Sequence, residues 1–283
     1  EFRNALESQG FEIKTLGLAE GLGNEVPTDA TLVVVAGPTE ALLESEREAL
    51  FAFLRRGGSL FYLVEPDHGQ PDEAMLQGLG LAMTKELVAS NRAQVRIPGS
   101  PLSPYNIAMN NTTMHPVTNS YRSTSRRLAF VVLGAGALTK SDTAPKGVTA
   151  KLVVRTDAQG FVDANGDRAR QDDEAPGSQA VVAIVDVKGP DATGHAVVMS
   201  DVDAVANGVV RNPGNGYIVV DAVRWMAGDE SFAKGAPTSE EDVKILHRKD
   251  EDKAWFYGTT LASPALVLAL GLLYTRRRRR LHS

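Results

Sequence analysis

Two short apolar runs joined by an amphipathic segment constrain the fold of this chain more than any other feature. The runs are 30–36 (ATLVVVA) and 59–64 (SLFYLV), and uninterrupted runs of this kind are typical of strands buried on both faces of a parallel sheet. Between them, apolar residues recur at helical spacing over 49–54, behind a predicted capping box of Ser45 and Glu48. This order predicts a βαβ unit with a right-handed crossover.

The rest of the chain continues this pattern. The alternating stretch 11–16 predicts a half-buried strand before the first run. Apolar residues over 215–228 favour a helix that ends at Gly228, while their β-branched members leave a strand as the alternative. Four further apolar runs predict strands at 128–133, 151–155, 180–186 and 195–200. We therefore predict an α/β fold with an open, mostly parallel sheet and flanking helices.

A second constraint lies near the C-terminal end. Residues 256–274 carry no charge, and at ~1.5 Å per residue they span about 28 Å, close to the ~30 Å hydrocarbon core of a bilayer. Aromatic residues stand at both ends, where membrane-interface belts are expected. We predict a C-terminal transmembrane helix over 255–275. The alternative, a buried core helix, is disfavoured by the basic residues that follow, which are Arg276, Arg277, Arg278, Arg279 and Arg280.

These arginines also predict the orientation of the chain. Basic residues that flank a span stay in the cytoplasm, so the body of the chain is expected outside it. The chain has 30 Lys and Arg against 35 Asp and Glu, and with the arginines assigned to the tail the body is acidic, which argues against nucleic acid as a partner. We predict an extracytoplasmic α/β domain over 1–232 (a subdivision near 120–127 stays open), a polar stalk over 233–254 and a cytoplasmic basic tail over 276–283.

The ends and the composition of the chain add two expectations. The chain has no cysteine, which excludes disulfides, a thiolate nucleophile and Cys-based zinc sites. It begins at Glu1 without a signal peptide. Because an acidic domain needs an upstream signal or anchor to leave the cytoplasm, we expect the sequence to be the C-terminal part of a longer protein.

Glycine, proline and carboxylate residues follow three of the predicted strands. In open α/β sheets ligands bind beyond the carboxyl ends of the strands, so these residues are candidates for a ligand site if the strands are neighbours. The alternative is that the carboxylates cap loops and form Asx-turns. The candidates are Gly37, Pro38, Glu65, Asp67, Asp201 and Asp203.

Motifs for catalysis and for metal binding are weak or missing. Asp163, Asn165, Asp167 and Glu174 match positions of a calcium loop, but Arg168 replaces the glycine that the sharp turn requires. The histidines lack metal-ligand spacing, and there is neither a nucleophile elbow nor a phosphate loop. We predict no catalytic residues, no metal site and no cofactor.

Small residues recur along one face of the predicted membrane helix. Such residues let a second helix approach closely, and this packing drives helix association in lipid. The alternative is the ordinary content of small residues in membrane spans. The predicted partner-helix face consists of Gly258, Ala262, Ala265 and Ala269.

Several motifs follow one another over nearly the full length of the chain. They are the helix and strand at 6–16, the block from 30–38 to 43–66, the His-Pro-Val-Thr element at 115–118, the closing strand and helix at 197–207 and 214–228, and the terminal span with its arginines. Each motif is degenerate, but in this order they resemble the auxiliary subunits of bacterial ABC transporters, the gliding-motility (GldG-like) type. The resemblance implies a location on the inner membrane of a bacterium.

The resemblance implies a glutamine-amidotransferase-like (flavodoxin-like) fold, shared with an intraflagellar-transport domain and without the catalytic cysteine. It also implies an ABC permease and an ATPase as partners, and it leaves the transported substrate unknown. We therefore expect a membrane-anchored, extracytoplasmic, non-catalytic accessory or binding subunit of an ABC transporter. The alternatives are a membrane-tethered envelope enzyme that uses the strand-end carboxylates and a structural scaffold of an envelope machine.

Overall fold

A computed structural model describes residues 2–228, apart from 18, 19, 21, 23, 24, 67–71, 98, 100 and 125–127, together with Thr260 and Pro264. The chain divides into two units, Glu1–Ala236 and Pro237–Ser283, and the fold below is that of the first. Thr260 and Pro264 apart, the predicted stalk, membrane helix and arginine tail lie outside the described residues. None of the helices in the described part is both long enough and apolar enough to cross a bilayer.

The helices and strands alternate along the first part of the domain, and strands dominate its second half. The helices are α1 (Phe2–Ser8), α2 (Glu44–Arg55), α3 (Glu73–Gly78), α4 (Asn119–Thr124) and α5 (Pro213–Met226), with 3-10 turns at Pro116–Thr118 and Asp203–Val205. The strands are β1 (Leu32–Ala36), β2 (Ser59–Leu63), β3 (Leu81–Ala89), β4 (Asn106–Met109), β5 (Asn111–Thr112), β6 (Phe130–Leu133), β7 (Gly136–Lys140), β8 (Val148–Arg155), β9 (Phe161–Asp163), β10 (Ala180–Lys188) and β11 (Thr193–Met199).

One nine-stranded sheet organises the domain. Its strand order is β1-β2-β11-β10-β7-β3-β9, and β8 pairs with both β10 and β5. The pairs β1–β2 and β2–β11 are parallel, and the remaining pairs of this sheet are antiparallel. Strands β4 and β6 form a separate antiparallel pair.

The predicted α/β fold, with helices flanking a central sheet, is confirmed. Its parallel part is β1-β2-β11, and the sheet is therefore mixed. The antiparallel part has a simple cause at β10 and β11, because only residues 189–192 connect them, and a link this short cannot carry the crossover that parallel strands need. Helices α2 and α5 form where helical spacing predicted them, so the strand alternative for 215–228 is wrong.

Alternating side chains of the central strands build two hydrophobic cores, one on each face of the sheet. Phe61 and Val197 face the core that contains α5 residues such as Ile218. Their neighbours Leu60 and Val198 face the second core, which contains α2 residues. Strands buried on both faces read as continuous apolar runs, and this explains the sequence of β2 and β11.

Three local expectations are corrected. The predicted capping box of Ser45 and Glu48 is wrong, because α2 begins two residues earlier and the Glu46 carboxylate accepts the Leu43 N–H at 2.8 Å. The strand predicted over 11–16 is wrong, because this stretch pairs with no strand among the described residues. Strand β1, expected to be buried on both faces, lies at a sheet edge, where only Val33 is buried.

Candidate functional site

The carboxyl ends of β1, β2 and β11 lie side by side, as the sequence-based site required. The register pairs Ala36 with Leu63 and Leu63 with Met199. The residues that follow each strand therefore meet along the carboxyl ends of the three strands, here called the strand-end edge of the sheet. This brings together Gly37-Pro38 and Glu65 with the loop 201–203. The sixth candidate, Asp67, lies outside the described residues.

Val202 fills the strand-end edge by packing against residues that follow β1 and β2. The Glu65 carboxylate accepts the Val202 N–H at 3.1 Å. Gly37 has a φ of 59°, a left-handed conformation that favours glycine, and a Cβ atom at this position would lie 3.3 Å from a Val202 methyl group. The Gly37 N–H also donates to the Leu63 carbonyl at 2.9 Å. Glycine is therefore needed here for a tight turn and for close packing of the loop.

The surroundings of Asp201 indicate that its carboxylate has a structural role. Its side chain is buried, and its two oxygens accept the Leu133 N–H at 2.6 Å and the Asp203 N–H at 2.8 Å. Burial raises the pKa of Asp201 to about 6, although the Leu133 hydrogen bond lowers it and the Asp203 charge adds to the rise. Of the described strand-end carboxylates, only Asp203 is exposed to solvent. Glu65 and Asp201 thus hold loop amides, which is the alternative that the sequence left open.

The loop that resembles a calcium site is also held by amide donors. Asp163 accepts the N–H groups of Gly166 and Arg168 at 2.8 Å each, and the Tyr105 hydroxyl at 2.6 Å. Glu174 accepts two further loop N–H groups, at 2.7 and 2.9 Å. Burial and the bond to Asp163 raise the pKa of Tyr105 to about 12. Within the part of the chain that the structure describes, no group of three or more metal-ligating side chains is present.

A row of polar side chains crosses three neighbouring strands at the opposite edge of the sheet, where the parallel strands begin. Ser59 on β2 lies beside His195 on β11, which lies beside Asp186 on β10. The His195 Nδ1 atom is 2.8 Å from an Asp186 oxygen. Serine, histidine and aspartate in this order resemble a nucleophilic triad. The Ser59 hydroxyl, however, is buried and donates to the Met226 carbonyl at 2.7 Å, so it fastens the end of α5 instead.

Trp225 packs over this row between two histidine rings. Its ring centroid lies 4.5 Å from that of His195 and 4.9 Å from that of His115, which meets it at 81°. His115 precedes the 3-10 turn, and its Nδ1 accepts the Val117 N–H at 3.3 Å. Burial, the main cause, and the nearby Lys151 lower the pKa of His115 to about 4.

An open pocket lies next to these aromatic residues. Its volume is about 570 Å³, and its walls include Thr31, Thr193 and His195. Met226, Ala227 and Gly228, at the end of α5, form another side. The pocket therefore lies where the parallel strands begin, opposite the edge that the sequence pointed to. Sequence reasoning missed this cluster because Ser59, Asp186 and His195 share no motif, and only strand register brings them together.

The fold and its two sheet edges define a class of protein: a mixed α/β domain whose strand-end carboxylates hold loops. The chain belongs to the family described as "Domain of unknown function (DUF4350)", which matches residues 1–220. A comparison with curated proteins finds no match.

Solved structures with a similar fold share little sequence with this chain. The mmIFT52 N-terminal domain aligns with a TM-score of 0.50 at 18% identity, over 70% of this chain and 77% of that chain. The cytoplasmic protein STM3548 from Salmonella typhimurium aligns with a TM-score of 0.46 at 10% identity, over 79% and 85% of the two chains. A putative ThuA-like protein from Parabacteroides merdae has a TM-score of 0.40 at 10% identity, over 81% and 83%. At these identities the likeness concerns the fold alone.

Proposed function

We propose that this protein is a membrane-anchored, extracytoplasmic accessory subunit of an ABC transporter and that its α/β domain has no catalytic role. The non-catalytic part of the proposal depends on one observation, the hydrogen bonds that Glu65 and Asp201 make at the strand-end edge. Their carboxylates accept backbone N–H groups, so they are committed to holding loops at the place where open α/β sheets usually bind ligands.

The membrane part of the proposal is supported by the sequence. The uncharged stretch over 256–274 and the arginines that follow it have the length and charge pattern of a span with a cytoplasmic end. The partners, an ABC permease and an ATPase, come from the resemblance to GldG-like auxiliary subunits. The proposal includes an inner-membrane location with the domain on the extracytoplasmic side.

Co-purification from native membranes tests the partnership. We expect a permease and an ATPase to be recovered with the tagged full chain, and the double variant Gly258→Leu with Ala265→Leu to reduce that recovery at least severalfold. Leucine at these positions keeps the helix apolar but blocks the close approach of a second helix. The matched control is Val267→Leu with Gly271→Leu, on the opposite face of the predicted helix. Equal recovery from both double variants rejects the small-residue face, and absence of transporter subunits from the wild-type sample rejects the partnership.

Substitution of Asp203 separates the accessory role from the enzymatic alternative. Its carboxylate is exposed and adjoins the closed edge, so an enzyme that used this edge would depend on it. We expect Asp203→Asn to leave the growth phenotype of a complemented deletion strain unchanged. Loss of complementation by a folded, membrane-inserted Asp203→Asn protein would favour the enzyme.

A further inference from the structure

The last turn of α5 packs on the sheet through the buried side chains of Val223 and Met226, and two further contacts act on its backbone and on Trp225. The Ser59 hydroxyl binds the Met226 carbonyl at 2.7 Å. Trp225 packs against the rings of His115 and His195. The turn forms one side of the pocket, and residues 229–254 follow it in sequence. Any change in these contacts therefore acts on the pocket.

His115 can make its contacts only while Nδ1 is unprotonated. This atom accepts the Val117 N–H at 3.3 Å, and that bond fixes the ring edge-on to Trp225. A proton on Nδ1 would place two donors opposite each other. The Val117 N–H would lose its acceptor, and the ring would lose the bond that orients it.

The surroundings of His115 oppose a positive charge. Lys151 on β8 and His195 on β11 disfavour the protonated ring, and Asp186 on β10 favours it, while burial is the largest effect. The net result is that the pKa of His115 falls from 6.5 to about 4. A depressed folded-state pKa means that the contact is fully present above about pH 6.5 and is lost as the pH falls through about 4.

We propose that His115 is an acid-sensitive latch on α5: its neutral ring holds Trp225 and the last helical turn against the sheet, and its protonation releases both. Release would open the side of the pocket formed by Met226, Ala227 and Gly228. The latch is independent of the transporter proposal, because it depends only on contacts within the domain.

Amide hydrogen exchange of the purified full chain in detergent tests the latch directly. The Ala227 N–H donates to the Val223 carbonyl at 2.9 Å, so a peptide that ends at Gly228 reports on the last turn. After correction for intrinsic exchange, this peptide is expected to exchange about twentyfold faster at pH 5 than at pH 7 in the wild type, if the released ring has its ordinary pKa. Peptides from α2 are expected to stay protected.

Two variants at position 115 distinguish protonation from packing. Asparagine keeps an acceptor for the Val117 N–H, and phenylalanine keeps a ring against Trp225, but neither side chain titrates. Both His115→Asn and His115→Phe are expected to remove the acid-dependent exchange. The proposal is overturned if either position-115 variant keeps the wild-type pH dependence, or if the wild-type turn stays protected until α2 also exchanges.

Discussion

Tyr62 and Tyr121 both place a phenol group in the hydrophobic core, but their hydroxyls differ in hydrogen bonding. Tyr62 is fully buried, and its hydroxyl has no hydrogen-bond partner among the described residues. The Tyr121 hydroxyl lies within hydrogen-bond distance of the Leu128 and Met109 carbonyls, at 2.8 and 3.1 Å. Burial raises the pKa of both phenols above the usual value. A buried polar group without a partner costs free energy, while a satisfied one contributes modestly to stability.

Removal of the two hydroxyls is therefore expected to have opposite effects. Tyr62→Phe should raise the free energy of unfolding by about 1 kcal/mol, because the unsatisfied hydroxyl is lost. Tyr121→Phe should lower it by about 1 kcal/mol, because buried carbonyls lose their donor. Urea titration of both variants beside the wild type measures the difference. A Tyr62→Phe protein that is less stable than the wild type would mean that the hydroxyl has a partner.

At the scale of the elements, the sequence predicted what depends on local pattern and missed what depends on pairing. Helical spacing located α2 and α5, and apolar runs located β2 and β11. Strand β3 gives no strand pattern in the sequence, because Lys85 and Glu86 in its middle are exposed. The strand forms because neighbouring strands on both sides pair with it. The edge position of β1 was equally hidden, since an apolar run does not reveal which strands flank it.

The same distinction applies to the candidate site. Residues directly after a strand can be placed at its carboxyl end, so the proximity of Gly37, Glu65 and Asp201 was predictable once the strands were assumed to be neighbours. The role of the carboxylates was not predictable, because it depends on which loop amides face them. The row of Ser59, His195 and Asp186 was hidden for the same reason.

Helix α5 contains one polar residue that joins it to two other elements. Asn215 is fully buried. It accepts the Val131 N–H at 2.8 Å and donates to the Val131 and Ala204 carbonyls at 2.8 and 3.0 Å. The side chain thus provides part of a strand ladder for β6 from within a helix.

Asn215→Leu should be strongly destabilising. The apolar side chain leaves the Val131 N–H without its acceptor and the buried Ala204 carbonyl without its donor, and we expect a loss of about 3 kcal/mol in the free energy of unfolding. Chemical denaturation of the full chain measures it. Asn4→Ala, on the exposed surface of α1, is the control and should stay within about 0.5 kcal/mol of the wild type. An equally small effect at Asn215 would contradict the proposed link to β6.

At the scale of the whole molecule, buried carboxylates make stability depend on pH. Asp221 of α5 is buried and accepts the Ser120 N–H of α4 at 2.7 Å. Burial is the main reason why its pKa rises to about 7 from an ordinary value of 3.8, with Ser120 and Arg224 acting in the opposite direction. A carboxyl whose folded-state pKa is raised stabilises the fold fully below its unfolded-state pKa, and this contribution is lost as the pH rises through about 7.

Asp221→Asn removes this contribution and leaves Asp201 and the histidines in place. The free energy of unfolding of the wild type, minus that of the variant, should therefore fall between about pH 4 and pH 7 and level off above. Urea titrations at one-unit intervals from pH 4 to pH 8 measure this difference. A difference that does not change with pH would show that Asp221 does not titrate in this range.

The closed edge at Val202 has a consequence for association. A surface whose loops are already fixed by Glu65, Asp201 and the close contact with Gly37 loses little conformational entropy when another protein binds to it. Preorganised surfaces of this kind gain affinity mainly because the cost of ordering has been met during folding. If the proposed partner subunits bind at this edge, the loops held by Glu65 and Asp201 need no further ordering.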